Sequence, residues 1–417
     1  MPHAVAVSVG DYFKIFRNDG NQYPGLVVET RQNNDHQVEY FVHYLDFDRR
    51  LDEWVTLNRI DLSTKFTIPE NQNEVLHVPG YGEGRLTRHQ KRRYEELSGK
   101  SVEAHQRDSV TQRLEREHQE FTRVKFIDTI QLGKYEIGTW YFSPYPEEYR
   151  RLKYLWICEY CLKYMKFEKS WVRHVLHECR LRQPPGRQIY QKDNISVFEV
   201  DATAQKASGL VIIFSAFSLL YCQNLCLLAK LFLDQKTLYY NVVPFLFYVL
   251  CETDAEGSHL VGYFSKERAS AENNNLACIL TLPPFQRMGY GKFLITLSYE
   301  LAKIEGMIGS PEKPLSDLGR LSYKSYWESV IFQYLLKHST TTIDDICKST
   351  CIARDDIIWT LQNHDVIRHW RHGHQIDLSR SELTDYMNQI IENGSRRRQG
   401  KVVFDISCLR WTTLPSQ

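Results

Sequence analysis

Residues 276–292 read Leu276-Ala-Cys-Ile-Leu-Thr-Leu-Pro-Pro-Phe-Gln-Arg-Met-Gly-Tyr-Gly-Lys292. The stretch from Leu276 to Leu282 is apolar and suits a strand. From Lys292 to Ile304 the apolar residues Phe293, Leu294, Leu297, Leu301 and Ile304 recur at helical spacing. Between the two, Gly289 and Gly291 let the backbone bend so that successive N–H groups point into one concavity, and the following helix adds its positive end. A pyrophosphate is the expected guest. By itself Gln-x-x-Gly-x-Gly is a weak signal that any glycine turn can satisfy. The strand–turn–helix setting makes it a good candidate for coenzyme A binding.

Working outward from this turn, strands and helices mix continuously from Val124 to the C-terminus. Ile343–Thr350 and Arg354–Asn363 read as two short helices around a turn, followed by a polar hairpin over Arg368–Leu378, the order of a winged helix-turn-helix. In a neutral chain such a lobe is as often a packing module as a DNA reader. Toward the N-terminus, Tyr12–Phe16, Leu26–Arg31, Val38–Leu45 and Glu53–Ile60 are short β-branched and aromatic runs separated by Asn/Asp/Gly turn chemistry. Val38, Tyr40, Val42 and Tyr44 alternate onto one face, so a small β-barrel over residues 8–66 is expected. Residues 67–120 read as a charged linker with the basic run Arg85-Leu-Thr-Arg-His-Gln-Lys-Arg-Arg93. That run is open to two readings, a nuclear import signal or nucleic-acid contact and a solvated linker face.

Composition bounds the possibilities. A chain of 417 residues can hold two or three domains, each with its own core. The formal net charge of +1 excludes a uniformly basic nucleic-acid coat, and the 13% aromatic share argues against wholesale disorder. Ten cysteines without an apolar N-terminal signal segment fit a reducing compartment. No run reaches the roughly 20 apolar residues of a spanning helix. A soluble, intracellular protein with no membrane partner is expected.

Cys158-Glu-Tyr-Cys161, with His174 and Cys179 downstream, has zinc-ligand spacing: two thiolates on a knuckle, then an imidazole and a third thiolate from a following helix. A closed four-ligand site leaves no position for a reactive water, so the zinc is expected to be structural. His177 competes with His174 but lies only two residues before Cys179, too short a span for the usual arrangement.

Several segments resemble the MYST family of histone acetyltransferases: Tyr135–Pro144, Cys158–Trp171, Tyr221–Leu233, Val261–Lys266 and Gly309-Ser-Pro-Glu-Lys-Pro-Leu-Ser-Asp-Leu-Gly319. Cys158–Lys166 and Asn194–Val200 look most like the males-absent-on-the-first branch. Phe41–Trp54 is similar to the chromo-barrel that such proteins carry. The resemblance implies an α+β fold: a chromo-barrel over 8–66, the linker, and a MYST/GNAT-like acetyltransferase region over 121–417. That region would contain a zinc finger (154–180), an acetyl-CoA core (190–330) and a helix-turn-helix lobe (331–417). It implies transfer of acetyl from acetyl-CoA to a lysine ε-amine on the histone H4 tail or nucleosome. The setting would be the nucleus, in a male-specific-lethal or non-specific-lethal type complex. A rival reading is a catalytically impaired chromatin- or RNA-binding scaffold that keeps the fold.

Residue by residue, the family's general base falls on Glu312 and the cysteine beside the thioester on Cys278. Cys278 would either form an acetyl-enzyme or shape the pocket, with direct attack favoured. The coenzyme A contacts fall on Ile279, Leu280, Thr281, Gln286, Arg287, Met288, Gly289, Tyr290, Gly291, Lys292, Ser316 and Ser325. Tyr44, Phe47 and Trp54 are either an aromatic cage for a methylated ammonium or barrel core. Barrels of this branch are also associated with RNA, which Arg49, Arg50 and the 85–93 run would suit.

Three departures stand out. Met288 replaces the family's second arginine; most of the phosphate grip comes from backbone N–H groups, so weakened rather than abolished cofactor affinity is expected. The gap from His174 to Cys179 is one residue longer than usual. About a dozen extra residues precede Tyr221, including the apolar run Leu210–Leu220. They put Leu219 where the family has its autoacetylated lysine and leave Lys206 as the nearest candidate. The run reads as a surface-binding loop, an extra buried strand, or a translated intron, the last being favoured because exposed apolar runs are a liability without a partner.

Overall fold

The computed structural model describes residues 7–33, 36–45, 47–67, 124–150, 152–203, 211–234, 236, 240–338, 341–364, 367–370, 373–376, 384, 388 and 402–412. The basic run 85–93 and Lys206 lie outside the described residues. The chain divides into two compact units. The first takes in the chain up to Ile130, Gly138–Tyr154 and Lys230–Thr237, and the second holds the rest.

In the first unit, β1 (Tyr12–Phe16), β2 (Gln22–Gln32), β3 (Val38–Tyr44), β4 (Glu53–Thr56) and β5 (Ile60–Phe66) form an antiparallel sheet in the order β4-β3-β2-β1-β5. Gly20, at φ +81°, turns β1 into β2, a conformation open to glycine because it has no Cβ. Alternation sends Tyr40, Val42 and Tyr44 to an inner core with Phe13, Ile15, Val27, Val55 and Ile60. Phe41, Leu26 and Val28 bury on the other side with Val124. The sequence reading merged the last two strands. A 3-10 turn at Leu57–Arg59 separates them, and Arg59 reaches back to Glu53 Oε1 at 2.7 Å.

Further along the chain come β6 (Thr129–Leu132), β7 (Tyr135–Gly138) and α1 (Glu147–Arg150). A short hairpin follows, made of β8 (Tyr154–Ile157) and β9 (Tyr164–Met165), and then α2 (Glu168–Arg173). The second unit is built on an antiparallel sheet of β10 (Arg187–Lys192), β11 (Ile195–Asp201), β12 (Phe245–Thr253), β13 (Ser258–Glu267) and β15 (Cys278–Thr281). Between β11 and β12 runs the helix α3 (Val211–Lys230). The apolar run before Tyr221 is therefore the first half of a helix, neither a loop nor a strand. It contains no Gly or Pro after position 211, and extending an existing helix backward costs far less than starting a new element. Ser218 is buried there and donates to Pro185 O at 3.1 Å, while Phe217 and Leu220 stay exposed.

The expected strand Leu276–Leu282 is split at Ala277 into β14 (Asn274–Leu276) and β15. After the turn, α4 (Tyr290–Glu305) buries Phe293, Leu294, Leu297 and Leu301, while Ile304 ends up exposed in the last turn. β16 (Ser310–Pro311) pairs parallel with β14. The helical lobe comprises α5 (Asp317–Lys337), α6 (Ile343–Thr350) and α7 (Arg354–Gln362), followed by the antiparallel pair β17 (Ile367–Trp370) and β18 (Gly373–Ile376). Its order is the expected winged helix-turn-helix. A capping box between Thr342 and Asp345 starts α6, and Cys351 at φ +59° ends it. Residues 402–412 return as a strap along β10: Leu409 bridges to Tyr190, Arg410 N donates to Ile189 O at 2.7 Å, and the Trp411 indole donates to buried Glu199 at 2.7 Å.

Candidate active site and zinc centre

β13 and β15 approach closely because position 262 is glycine: a Cβ there would lie 2.5 Å from Leu280 O. The register sets Ser265 opposite Cys278 and Gly262 opposite Thr281. Cys278 is half-buried, and the Tyr263 hydroxyl points to its Sγ at 3.8 Å. Burial pushes the Tyr263 phenol far up, with the neighbouring thiol adding to the effect, so this hydroxyl stays a donor. Glu312, also half-buried, follows β16, and its N–H donates to Leu276 O at 2.8 Å. The carboxylate-bearing loop is thus tied to the chain two residues before Cys278.

Beyond Thr281 the chain leaves the sheet through Leu282, whose N–H donates to Val261 O at 3.0 Å, and turns through a 3-10 step at Pro283–Phe285. The Gln286 amide folds back onto Thr281 O at 3.0 Å, Arg287 adopts φ +66°, and Gly289 adopts φ +102° as the N-cap of α4. Gly289 has no side chain with which to cap this helix start, and the N–H groups of a first helical turn favour an anion. Ile279, Leu280, Thr281, Gln286, Arg287, Met288, Gly289, Tyr290, Gly291 and Lys292 are thereby brought together on one strand–turn–helix, with Tyr290 buried and its hydroxyl bonded to Glu252. Met288 is exposed, and its carbonyl accepts from Val402 N at 3.3 Å, so the strap touches this turn. Ser316 is the N-cap of α5, accepting from Gly319 N at 3.1 Å, and Ser325 is an exposed residue of the same helix.

The zinc ligands also converge. One donor atom from each of Cys158, Cys161, His174 and Cys179 lies within 4.8 Å of all the others. Cys158 and Cys179 Sγ are 3.7 Å apart, close to the ~3.8 Å edge of a tetrahedron with metal–sulfur bonds of about 2.3 Å. Cys161 Sγ is 3.2 Å from His174 Nε2. Hydrogen bonds from the Cys158 and Cys161 thiols lower the Cys179 thiol while those two donors are themselves raised, so the three sulfurs share their protons in the absence of a cation. Donor set and spacing fit zinc. The knuckle forms because Leu162 takes φ +61°, letting its N–H reach Cys158 O at 2.8 Å. On the far side, α2 runs into a π-helical turn over His174–Glu178, closed by Cys179 N donating to His174 O at 2.7 Å. A π turn holds one more residue than an α turn, so it absorbs the extra residue of the His174–Cys179 gap while both donor atoms stay within the four-residue cluster.

Residues 183–403 match the MOZ/SAS family, residues 124–179 the MYST family zinc finger domain, and residues 7–62 a family described as the RNA binding activity-knot of a chromodomain. The chain belongs to the MYST family of histone acetyltransferases. A relative from Arabidopsis thaliana, histone acetyltransferase of the MYST family 1, is 45% identical over 96% of this chain and 84% of its own length. Histone acetyltransferase MOF from Drosophila melanogaster is 42% identical over 96% of this chain, which spans 52% of that longer protein. The solution structure of the chromo barrel domain from the males-absent on the first (MOF) protein is 34% identical, covering 15% of this chain and 73% of that one, with a TM-score of 0.13.

Within this MYST chain the three candidate cage aromatics do not share a face. Tyr44 is buried in the inner core with its hydroxyl on Glu53 at 2.9 Å, and Phe47 is exposed, edge-on to Tyr23 at 5.1 Å. Trp54 packs on Phe41, across the sheet from that core, and the Arg31 guanidinium sits 4.0 Å above its ring. Sequence reasoning passed over Gly262, Tyr263 and the ion pair beside Glu312. A lone glycine inside an apolar strand was the available signal for the first. The others depend on contacts far apart in sequence.

Proposed function

We propose that this chain transfers acetyl from acetyl-CoA to lysine side chains of the histone H4 tail by direct attack, with Glu312 as the general base. The observation that carries the reading is the Glu312 N–H to Leu276 O bond, which ties a half-buried carboxylate to the chain entering β15. The same strand carries Cys278 and leads into the glycine turn at the start of α4. A lysine ammonium with a pKa near 10.4 is not nucleophilic at neutral pH. Glu312 accepts one proton from the ammonium, the free amine attacks the acetyl carbonyl, the new C–N bond forms as the C–S bond breaks, and the second proton on that nitrogen passes to the leaving sulfur, so that coenzyme A departs as the thiol. Backbone N–H groups of residues 286–291 hold the pyrophosphate of the coenzyme. Cys278, with Tyr263 donating to it, shapes the acetyl pocket. Cys158, Cys161, His174 and Cys179 would hold a zinc ion, which would supply a structural cross-link between the knuckle and the end of α2 rather than a reactive centre.

The proposed setting is the nucleus, on chromatin, within a male-specific-lethal or non-specific-lethal type complex. The division into barrel (8–66), linker (67–120) and acetyltransferase region (121–417) is part of this proposal. For the barrel, RNA contact through Arg49 and Arg50 suits the surface better than methyl-lysine capture, because Arg31 already covers the Trp54 ring.

The test is a steady-state assay with labelled acetyl-CoA and an H4 tail peptide. Glu312→Gln is expected to lower kcat by about a hundredfold or more at neutral pH while binding acetyl-CoA as before. Unchanged turnover in that variant would remove Glu312 from the base role. Absence of turnover in the parent protein would favour the non-catalytic scaffold.

A further inference from the structure

The loop that carries Glu312 is held from both ends, and one side of the hold is the helical lobe. Upstream, Gly309 N donates to Cys351 O and Ala353 N donates to Gly309 O, each at 3.0 Å. This ladder requires glycine, because a Cβ at 309 would sit 2.6 Å from Asn273 O. Downstream, the ammonium of Lys313 meets Asp356 Oδ1 at 2.8 Å. Asp356 lies in the first turn of α7 and its side chain is only 3% exposed, whereas that of Lys313 is 56% exposed. Asp356 Oδ2 and the neighbouring Tyr323 hydroxyl are buried without a hydrogen-bond partner among the described residues. A buried carboxylate short of partners is costly unless a counter-charge reaches it. Among the described residues the cation that does so is Lys313, the residue next to the base. The attraction that compensates Asp356 tethers the Lys313 side chain to α7, and Glu312, whose own N–H is bonded to Leu276 O, lies between that tether and the Gly309 ladder.

We propose that Asp356 is a positioning residue that fixes Glu312 through Lys313, so that the helix-turn-helix lobe sets the rate of acetyl transfer. The inference rests on the reading of Glu312 as the base. Its mechanism is geometric: loosening the loop by about 1 Å misplaces the carboxylate and is enough for up to a hundredfold loss of rate.

The experiment measures kcat, the KM for acetyl-CoA and the melting temperature of the full chain carrying Asp356→Asn, Lys313→Met, Lys313→Arg, or the paired Lys313→Met/Asp356→Leu. The paired change removes both charges, so no buried carboxylate is left uncompensated and the fold is kept even if Asp356→Asn alone unfolds. Expected is a ten- to hundredfold fall in kcat for Asp356→Asn, Lys313→Met and the pair, with the acetyl-CoA KM within about twofold and Lys313→Arg close to the parent. In a Glu312→Gln background the same changes should cost nothing further, because their effect passes through the lost base. Full turnover in the paired variant, with Glu312→Gln still inactive, would overturn the positioning role and leave the base intact. Full turnover in Glu312→Gln would instead overturn the base, and the inference with it.

Discussion

Asp405 shows how a single charge fastens the C-terminal strap. Its carboxylate accepts from the Ser407 hydroxyl at 2.7 Å and from Ser407 N at 3.1 Å, and it meets Lys192 Nζ at 2.9 Å. These partners, the Ser407 hydroxyl first and Lys192 next, hold the carboxyl down at about 2. A carboxylate depressed in the folded state contributes stability above its unfolded pKa of about 3.9, and that contribution is lost as pH falls through the folded value. Asp405→Asn should therefore lower the urea midpoint by a constant amount from pH 7 to pH 5, with the gap to the parent closing below about pH 4. A gap that persists unchanged into acid would show that the charge is not what matters. At this scale residue type and spacing named the zinc ligands, while Glu312 and Cys278 were named through the family resemblance. Neither gave Asp356 or Tyr263, which are ordinary in type and acquire meaning only from what faces them.

At the level of elements, the π turn over His174–Glu178 turns an irregular spacing into a working ligand set. Within this turn the Leu176 side chain is 65% exposed. Deleting Leu176 should let the turn close as ordinary α-helix, with Cys179 moving from i+5 to i+4 of His174. One zinc per chain should be retained by atomic absorption, whereas Cys179→Ser, the control, should lose metal and lower the melting temperature. Metal loss in the deletion variant would mean that the π geometry itself is required. The elements most legible in the sequence were those with strong periodicity, such as α4, α6, α7 and the strands β1 to β3. The apolar run before Tyr221 was not legible, because a mostly hydrophobic stretch interrupted only by Ser215 and Ser218 has too little periodicity to separate a strand from a helix. Its helical fate came from continuity with Tyr221–Lys230.

For the molecule as a whole, the first unit makes the barrel more than a tethered bead. Trp54 donates its indole N–H to Lys125 O at 3.3 Å, Arg31 spans Glu39 at 2.7 Å and Asp128 at 3.3 Å, and Lys153 adds to Glu39 at 3.3 Å. The Tyr141 hydroxyl donates to Asp48 at 2.8 Å. Trp54→Ala removes the ring beneath Arg31 and its packing on Phe41, which should cost about 2 kcal/mol or more. Expected are a lower melting temperature and faster proteolytic release of the barrel, with kcat on the H4 peptide unchanged. A melt and a digestion pattern identical to the parent would mean that these contacts carry no stability.

The sequence by itself determined the family and the metal-ligand spacing of the thiolates and imidazole, and through the family resemblance it pointed to the glycine turn and the Glu312 loop. Those are local requirements, met within a few residues of chain, so they are written in order along it. Tertiary structure alone decided that Arg31 would cover Trp54, that a spare residue at the zinc site would be taken up by a π turn, and that a buried aspartate 43 positions away would meet Lys313, the neighbour of Glu312. Each of these depends on burial and on partners distant in sequence, where desolvation makes one charge seek another, and no local pattern records that pairing.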